Sequence, residues 1–153
     1  MNWDSPVSSS SVEETEKIGA NIAKAMQKDS SLPPFVALYG DLGVGKTAFV
    51  RGFVSVISPQ SIVRSPTFAL VREYPALPRP VFHFDFYRID SEEDLVSIGF
   101  DDYLTRGGIC LCEWSEKITD FLPAERLEIT ITKDDLSAPD HRMITILQRG
   151  KDT

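Results

Sequence analysis

The fold of this chain is decided by residues 35–50, which read FVALYGDLGVGKTAFV. Residues 35–39 form a continuous apolar run, which is typical of a strand that is buried on both faces. Residues 40–47 follow at once and fit the pattern G-x-x-x-x-G-K-S/T at every fixed position. The nearly apolar residues 48–57 then indicate a central helix packed under a sheet. This order of strand, glycine loop and helix predicts an α/β fold with a phosphate-binding loop.

The chemistry of phosphate binding explains the residue types of the loop. Gly43 and Gly45 let the backbone curl with its amides pointing inward, without side chains in the path of a polyphosphate. Lys46 supplies a positive charge to the β and γ phosphates, and the Thr47 hydroxyl can ligate Mg²⁺. A turn that merely joins a strand to a helix would explain the glycines but not Lys46 and Thr47. The glycine spacing, G-x-x-G-x-G, also disfavours a dinucleotide fold.

Two acidic residues stand where predicted strands end. Asp85 closes the apolar run 81–84, and Glu113 closes the run 109–112. Ligands of an open α/β sheet sit off the carboxyl ends of its strands, so we expect both acids to converge with the loop after Tyr39. Either carboxylate could hold Mg²⁺ while the other orients an attacking water. The alternative for each is an ordinary solvated acid at the end of a strand.

The rest of the pattern completes one domain over residues 1–153. Ser11 and Glu14 have the spacing of a capping box, which predicts that a helix begins there, and Ser91 begins a second helix. Strands are predicted over residues 68–73, 81–84, 109–112, 127–132 and 143–147, the last two as an antiparallel pair. We predict a P-loop NTPase-like three-layer fold whose central sheet is mainly parallel, with antiparallel strands added at the C-terminus. The serine-rich residues 1–11 should bury nothing and stay mobile until something docks on them.

Composition limits the function. Sixteen Lys and Arg against 23 Asp and Glu give a formal net charge of -7 and a pI near 4.8. This balance argues against a surface that neutralises many phosphates of a nucleic acid, so a role on nucleic acid would run through a partner. No stretch approaches the roughly 20 apolar residues of a membrane span, and the start lacks a signal peptide, so we expect a cytoplasmic protein. Cys110 and Cys112 are expected to be buried, inert thiols.

Four motifs together resemble the TsaE (YjeE) family in order and spacing. They are the loop at residues 40–47, Ser65-Pro66-Thr67-Phe68, His83-Phe84-Asp85-Phe86-Tyr87-Arg88 and Glu113-Trp114. The resemblance covers nearly the whole chain and implies a small ATPase needed for bacterial synthesis of N6-threonylcarbamoyladenosine at position 37 of tRNAs that read codons beginning with A. It also implies that the chain acts with the TsaB and TsaD proteins, where TsaD transfers the threonylcarbamoyl group and ATP hydrolysis supports turnover.

The resemblance assigns roles to the candidate residues. It makes Lys46 and Thr47 the phosphate and Mg²⁺ contacts, Glu113 the Mg²⁺-linked acid and Asp85 a second acid at the metal. It makes Thr67 a switch-like residue, although Ser65-Pro66-Thr67-Phe68 alone is only a turn. The full set expected at the nucleotide is Ser11, Asp41, Gly43, Val44, Gly45, Lys46, Thr47, Ala48 and Arg142.

The resemblance places Ser11 near the adenine and brings Arg142 towards the nucleotide. Ala48 departs from the family, in which many members have a second threonine there, but its amide rather than its side chain faces phosphate. The resemblance gives Trp114 a role in tuning hydrolysis or docking, whereas by itself an aromatic after a buried strand is more often core. His83 is predicted to be a strand residue whose hydrogen bonds are satisfied, rather than a metal ligand.

Three other functions share some of these features. The run Thr132-Lys133-Asp134-Asp135 fits the guanine motif N/T-K-x-D of a GTPase, but no Asp is followed by Gly three residues later, so the D-x-x-G switch is missing. A small-molecule kinase shares the loop, yet the chain has no arginine-rich lid segment. A nucleotide-gated assembly factor with negligible hydrolysis is the third alternative, and it differs from an ATPase in whether turnover is required.

Overall fold

The computed structural model describes residue 3 and residues 5–40, 43–64, 70–133 and 137–150. In chain order the elements are β1 (Val7–Ser9), α1 (Val12–Lys28), β2 (Phe35–Tyr39), α2 (Lys46–Ile57), β3 (Val71–Tyr74), β4 (Val81–Asp85), α3 (Glu92–Ile98), α4 (Phe100–Thr105), β5 (Ile109–Glu113), a 3-10 helix (Ser115–Phe121), β6 (Arg126–Thr132) and β7 (Arg142–Arg149). Within the described ranges, no helix combines the length and the apolar character that crossing a membrane needs.

Two helices begin as their sequences predict. The Ser11 hydroxyl accepts a hydrogen bond from the Glu14 amide at 3.1 Å, which satisfies an amide that the first turn of α1 leaves without a helical partner. The Glu14 carboxylate in turn accepts from the Ser10 amide at 2.5 Å. Ser91 caps α3 in the same way, accepting from the Asp94 amide at 3.2 Å. Both predicted helix starts are therefore confirmed.

The strands form a single mixed sheet with the order β1-β7-β6-β2-β5-β4-β3. The four central strands β6, β2, β5 and β4 run parallel to one another. The predicted antiparallel pairing of β6 with β7 is confirmed, but β3 on β4 and β1 on β7 are antiparallel as well. The predicted addition of antiparallel strands at the C-terminus is therefore confirmed, whereas the antiparallel pairing of β1 and of β3 was not predicted.

Helices cover both faces of the sheet. Val36 and Leu38 of β2 point into a core shared with α1 and α2, whereas Phe35 and Ala37 point into a second core under α3 and α4. The helices α1 and α2 lie very close together, because a Cβ added at Gly52 would collide with a main-chain carbonyl of α1. Every second residue of a central strand therefore faces the layer that contains α2.

The serine-rich start of the chain is more ordered than its composition predicts. Val7–Ser9 pairs with the beginning of β7, and Ser9 is fully buried. The Ser9 hydroxyl donates to the Ser11 carbonyl at 3.0 Å and shares a 2.7 Å hydrogen bond with the hydroxyl of Thr15. The prediction that residues 1–11 bury nothing is thus wrong for Ser9, since local partners satisfy its small polar side chain and β1 pairs its backbone with β7.

Three further outcomes concern single elements. The helix predicted over 48–57 is observed as α2, and the cysteines of β5 are buried and free, as predicted. Burial raises the pKa of Cys110 to about 12 and raises that of Cys112 well above its ordinary value, so both thiols stay protonated. The helix α4 and the 3-10 helix were not predicted.

Candidate functional site

Strand order and strand parity bring the candidate residues to one place. The strand β5 lies between β2 and β4, so the carboxyl ends of all three are neighbours, and Asp85 pairs in register with Glu113. Both acids follow the alternation that points towards the α2 layer. They line a cavity of about 290 Å³, called here the strand-end pocket, together with Gly43, Gly45, Lys46, Thr47 and Trp114.

The loop enters α2 through a residue that only glycine suits. Gly45 is the N-cap of α2 and has a φ of 111°, a backbone conformation that L side chains rarely adopt. Since glycine has no side chain to cap the helix, the amides of the first turn keep their hydrogen-bonding capacity for an external acceptor. The helix end also carries a partial positive charge, so this part of the strand-end pocket favours an anion.

Lys46 is held at the wall of the strand-end pocket and is only 5% exposed. Its Nζ donates to the Gly40 carbonyl at 2.5 Å and lies 3.9 Å from the centre of the Trp114 ring. An ammonium over an indole face is stabilised by cation–π attraction. Trp114 has a φ of 60°, which is unusual for a residue with a Cβ and costs about 1 kcal/mol or more. Trp114 therefore combines a strained backbone conformation with a side-chain contact to Lys46.

The two carboxylates of the strand-end pocket differ in their surroundings. Asp85 is half-buried and accepts a hydrogen bond from the Tyr87 amide at 3.0 Å. Burial raises the pKa of Asp85 above its ordinary value, and the negative charge of Glu113 adds to that rise although the Tyr87 amide opposes it. Glu113 is more deeply placed, at 6% exposure.

Sequence reasoning missed the partner of Glu113. The Nε2 atom of His83 lies 2.6 Å from Oε2 of Glu113, and His83 is fully buried. The signal was present, since His83 stands two residues before Asp85 on β4 and therefore shares its face. The missing information was the register of β4 against β5, which no local pattern supplies.

A second cavity of about 330 Å³ adjoins the loop from the other side. We call it the arginine pocket, and its lining residues are Ser10, Ser11, Val12, Glu13, Thr15, Gly43, Val44, Gly45, Ala48, Asp140 and Arg142. The Arg142 guanidinium donates through Nε to the Val44 carbonyl at 2.8 Å and through Nη2 to the Gly43 carbonyl at 3.4 Å. Arg142 therefore links the start of β7 to the loop and fixes one wall of this pocket.

The oxygen atoms of the strand-end pocket suit a hard cation beside a polyphosphate. Mg²⁺ prefers carboxylate and hydroxyl oxygens and takes only one or two protein carboxylates when phosphates and waters complete its shell. Thr47, Asp85 and Glu113 provide such oxygens in one cavity. No cluster of three or more His, Cys, Asp and Glu side chains suited to a metal occurs in the part of the chain that the structure describes. Thr47, Asp85 and Glu113 are thus the residues of this pocket that could hold a metal ion.

The structure brings most of the candidate residues together at these two pockets. Lys46, Thr47, Asp85 and Glu113 line the strand-end pocket, Ser11, Val44, Ala48 and Arg142 line the arginine pocket, and Gly43 and Gly45 line both. Asp41 and Thr67, with the rest of Ser65-Pro66-Thr67-Phe68, lie outside the described residues. So do Asp134 and Asp135 of the guanine-like motif, which falls between β6 and β7.

Comparisons with known proteins agree on one family. The family model described as "Threonylcarbamoyl adenosine biosynthesis protein TsaE" matches residues 9–144. A Bacillus subtilis protein named tRNA threonylcarbamoyladenosine biosynthesis protein TsaE is 38% identical over 138 residues, which are 90% of this chain and 82% of the relative. A Haemophilus influenzae protein of the same name is 44% identical over 96 residues, 63% of this chain and 61% of the relative. A crystal structure of YdiB from Bacillus subtilis is similar with a TM-score of 0.75 and 32% identity, covering 95% of this chain and 86% of that one.

Proposed function

This chain belongs to the TsaE family of tRNA threonylcarbamoyladenosine biosynthesis proteins, and we propose that it is the P-loop ATPase of that pathway. In this proposal the arginine pocket receives the adenosine part of ATP and the strand-end pocket receives the phosphates with Mg²⁺. The observation that carries the proposal is the shared wall: Gly43 and Gly45 line both pockets, so one ligand can extend from one pocket to the other across the loop.

Four side chains of the strand-end pocket have roles in hydrolysis in this proposal. Lys46 neutralises the β and γ phosphates, and Thr47 and Glu113 supply oxygens to Mg²⁺. A Mg²⁺ ion held by these residues would supply Lewis-acid stabilisation of the charge on the phosphate oxygens. Asp85 is the second acid at the metal and stands one strand away from Glu113. Either carboxylate can accept a hydrogen bond from the attacking water and orient it.

We further propose that hydrolysis is slow in the isolated chain. No arginine lines the strand-end pocket among the described residues, so stabilisation of the transition state by a guanidinium would come from a partner. The partners in this proposal are the TsaB and TsaD proteins, with tRNA contacted through them rather than by this acidic chain. The site of action is the cytoplasm, where TsaD transfers the threonylcarbamoyl group and ATP hydrolysis supports repeated turnover.

A reconstituted modification assay tests the proposal. The chain is combined with TsaB, TsaD, the enzyme that forms the threonylcarbamoyl adenylate, ATP and tRNA, and the modified nucleoside and free phosphate are measured together. Lys46→Ala should abolish multiple-turnover modification and phosphate release. Lys24→Ala is the matched control, because Lys24 is exposed on α1. Full multiple-turnover modification with Lys46→Ala would overturn the proposal.

Two additional measurements separate the rival functions. Tighter binding of GTP than of ATP would favour a GTPase over an ATPase. A phosphorylated small molecule in place of free phosphate would indicate a kinase. Modification that needs bound ATP but continues with a nonhydrolysable analogue would indicate an assembly factor.

A further inference from the structure

The buried His83 contacts Glu113, one of the two acids of the strand-end pocket. His83 lies on β4 opposite Leu111 of β5 and is 0% exposed. Its Nε2 lies 2.6 Å from Oε2 of Glu113, so the two side chains share a short hydrogen bond. Among the described residues, His83 is the hydrogen-bond partner of the Glu113 side chain.

The two nitrogens of the imidazole have unequal surroundings, and this fixes the direction of the bond. The Nδ1 atom of His83 is buried and has no hydrogen-bond partner among the described residues. If the ring proton sat on Nδ1, an N–H would be buried without an acceptor, and two lone pairs would face each other between Nε2 and Glu113. The proton on Nε2 removes both costs, so His83 donates and Glu113 accepts.

The ring of His83 is also held in orientation by its neighbours. Tyr74 of β3 stacks on it with ring centres 6.3 Å apart and an angle of 26° between planes. The Tyr74 hydroxyl is itself fixed, accepting from the Arg64 amide and donating to the Arg64 carbonyl, both at 3.2 Å. A chain of contacts therefore runs from the edge strand β3 through His83 to a carboxylate in the strand-end pocket.

We propose that His83 is a positioning residue that holds Oε2 of Glu113, so that the other oxygen, Oε1, is presented to the cation and the water. This inference rests on the proposed function for the identity of the cation and the nucleotide. Outer partners of metal-ligating groups fix their orientation, and their loss typically costs about 10- to 100-fold in metal affinity or activity.

A pair of substitutions of matched shape tests this role. His83→Gln can still donate a hydrogen bond to Glu113, whereas His83→Met has a similar length and cannot donate. The first measurement is the Mg²⁺ concentration at which the chain binds the imidodiphosphate analogue of ATP, which does not depend on hydrolysis. We expect His83→Met to raise this concentration about tenfold or more. We expect His83→Gln to restore most of the loss, and both variants to bind the analogue equally well without Mg²⁺.

A double-mutant cycle shows whether His83 acts through Glu113. We expect His83→Met to have little additional effect on the Mg²⁺ requirement when Glu113→Gln is already present, since the positioned group has then been altered. Additive effects, or equal Mg²⁺ requirements of His83→Met and the unaltered chain, would overturn the positioning role. Should His83→Met not fold, the inference depends on His83→Gln, whose Mg²⁺ requirement must then stay within a few-fold of the unaltered chain.

The same experiment separates this inference from the proposed function. If the unaltered chain binds the analogue with Mg²⁺ but releases no phosphate with its partners, the ATPase proposal fails while the cycle still decides the role of His83. If phosphate is released and the His83 variants match the unaltered chain in both Mg²⁺ requirement and maximal rate, only the positioning role fails.

Discussion

The strand-end pocket and the arginine pocket share a loop but are built in different ways. The strand-end pocket is formed by the ends of the parallel strands β4 and β5 and by the start of α2. The arginine pocket combines the start of the chain, α1 and the beginning of β7, which are far apart in sequence. The first pocket carries the candidate chemistry on the central sheet, and the second supplies a binding wall that depends on an edge strand of three residues. We therefore expect substitutions in the strand-end pocket to lower the rate of phosphate release, and substitutions in the arginine pocket to lower the affinity for nucleotide.

The largest expected effect is on catalysis in the strand-end pocket. Under the proposed function, Glu113→Gln should lower the maximal rate of phosphate release by about 10²-fold or more, because an amide would replace the carboxylate that we propose acts there. Nucleotide binding without Mg²⁺ should be nearly unchanged. Steady-state phosphate release with the partner proteins measures the first quantity and equilibrium dialysis the second. Glu116→Gln is the matched control, because Glu116 is exposed on the 3-10 helix just beyond. A loss of Mg²⁺-free binding would erase the difference between the pockets.

The second expected effect is on affinity in the arginine pocket. Arg142→Ala removes the hydrogen bonds to the Val44 and Gly43 carbonyls, which are worth roughly 1.5 to 3 kcal/mol for a charged donor. We expect nucleotide to bind about tenfold more weakly, with the maximal rate of phosphate release nearly kept. Titration calorimetry with ATP analogue gives the affinity. Arg149→Ala, at the far end of the same strand, should leave it unchanged.

A smaller effect, on stability, is expected at the hydrogen bond between Ser9 of β1 and Thr15 of α1. Ser9→Ala removes the 2.7 Å hydrogen bond to Thr15, and the buried Thr15 hydroxyl then loses a partner. The free energy of unfolding should fall by about 1 kcal/mol, and nucleotide should bind a few-fold more weakly. Chemical denaturation compared with Ser8→Ala, an exposed serine of the same strand, isolates the buried bond. Equal stability of the two variants would show that β1 does not rely on it.

The smallest expected effect is on stability: replacing Asp85 should raise the free energy of unfolding at neutral pH but not at low pH. Because its pKa is raised, chiefly by burial, the folded state holds the proton more tightly than the unfolded state does. The contribution of Asp85 to the free energy of unfolding is therefore greatest below the pKa of an unfolded aspartate. It is lost as the pH rises through the raised pKa of Asp85 in the folded protein. Asp85→Asn, which can still accept from the Tyr87 amide, should therefore be slightly more stable than the unaltered chain at pH 7 without Mg²⁺. The gain should vanish near pH 3.

Denaturant midpoints at the two pH values check this prediction. Asp120→Asn, an exposed carboxyl on the 3-10 helix, is the control for a general change in net charge. A gain for Asp85→Asn that persists at pH 3, or a loss at pH 7, would show that burial does not penalise this carboxylate.

The same contrast explains what could be read from the sequence. The strand-end pocket was predictable because Gly45, Lys46 and Thr47 obey a local pattern, and because a residue that ends an apolar run lies at a known edge of a parallel sheet. His83 shows the limit: its face follows from strand parity, but its contact with Glu113 depends on the register between β4 and β5.

The arginine pocket was harder to predict for a physical reason. Its position depends on β1, whose Val7–Ser9 gains hydrogen bonds only from an edge that lies more than 130 residues later, at Arg142 to Ile144. Serines are poor strand formers by composition, so a short pairing with the edge of β7 overrides what the local sequence indicates. Ser11 and Arg142 were assigned to the nucleotide only through the family resemblance.

The antiparallel pairing of β1 with β7 also decides where the protein can be labelled. Ser9 lies opposite Arg142, so a dye attached at the neighbouring exposed residue Ser8 would sit close to the arginine pocket. From Arg142 the strand β7 runs on to Arg149, and seven residues at about 3.4 Å each carry the chain roughly 24 Å along the sheet. A surface for immobilised binding measurements is therefore better attached near Arg149, and a distance-sensitive probe at Ser8.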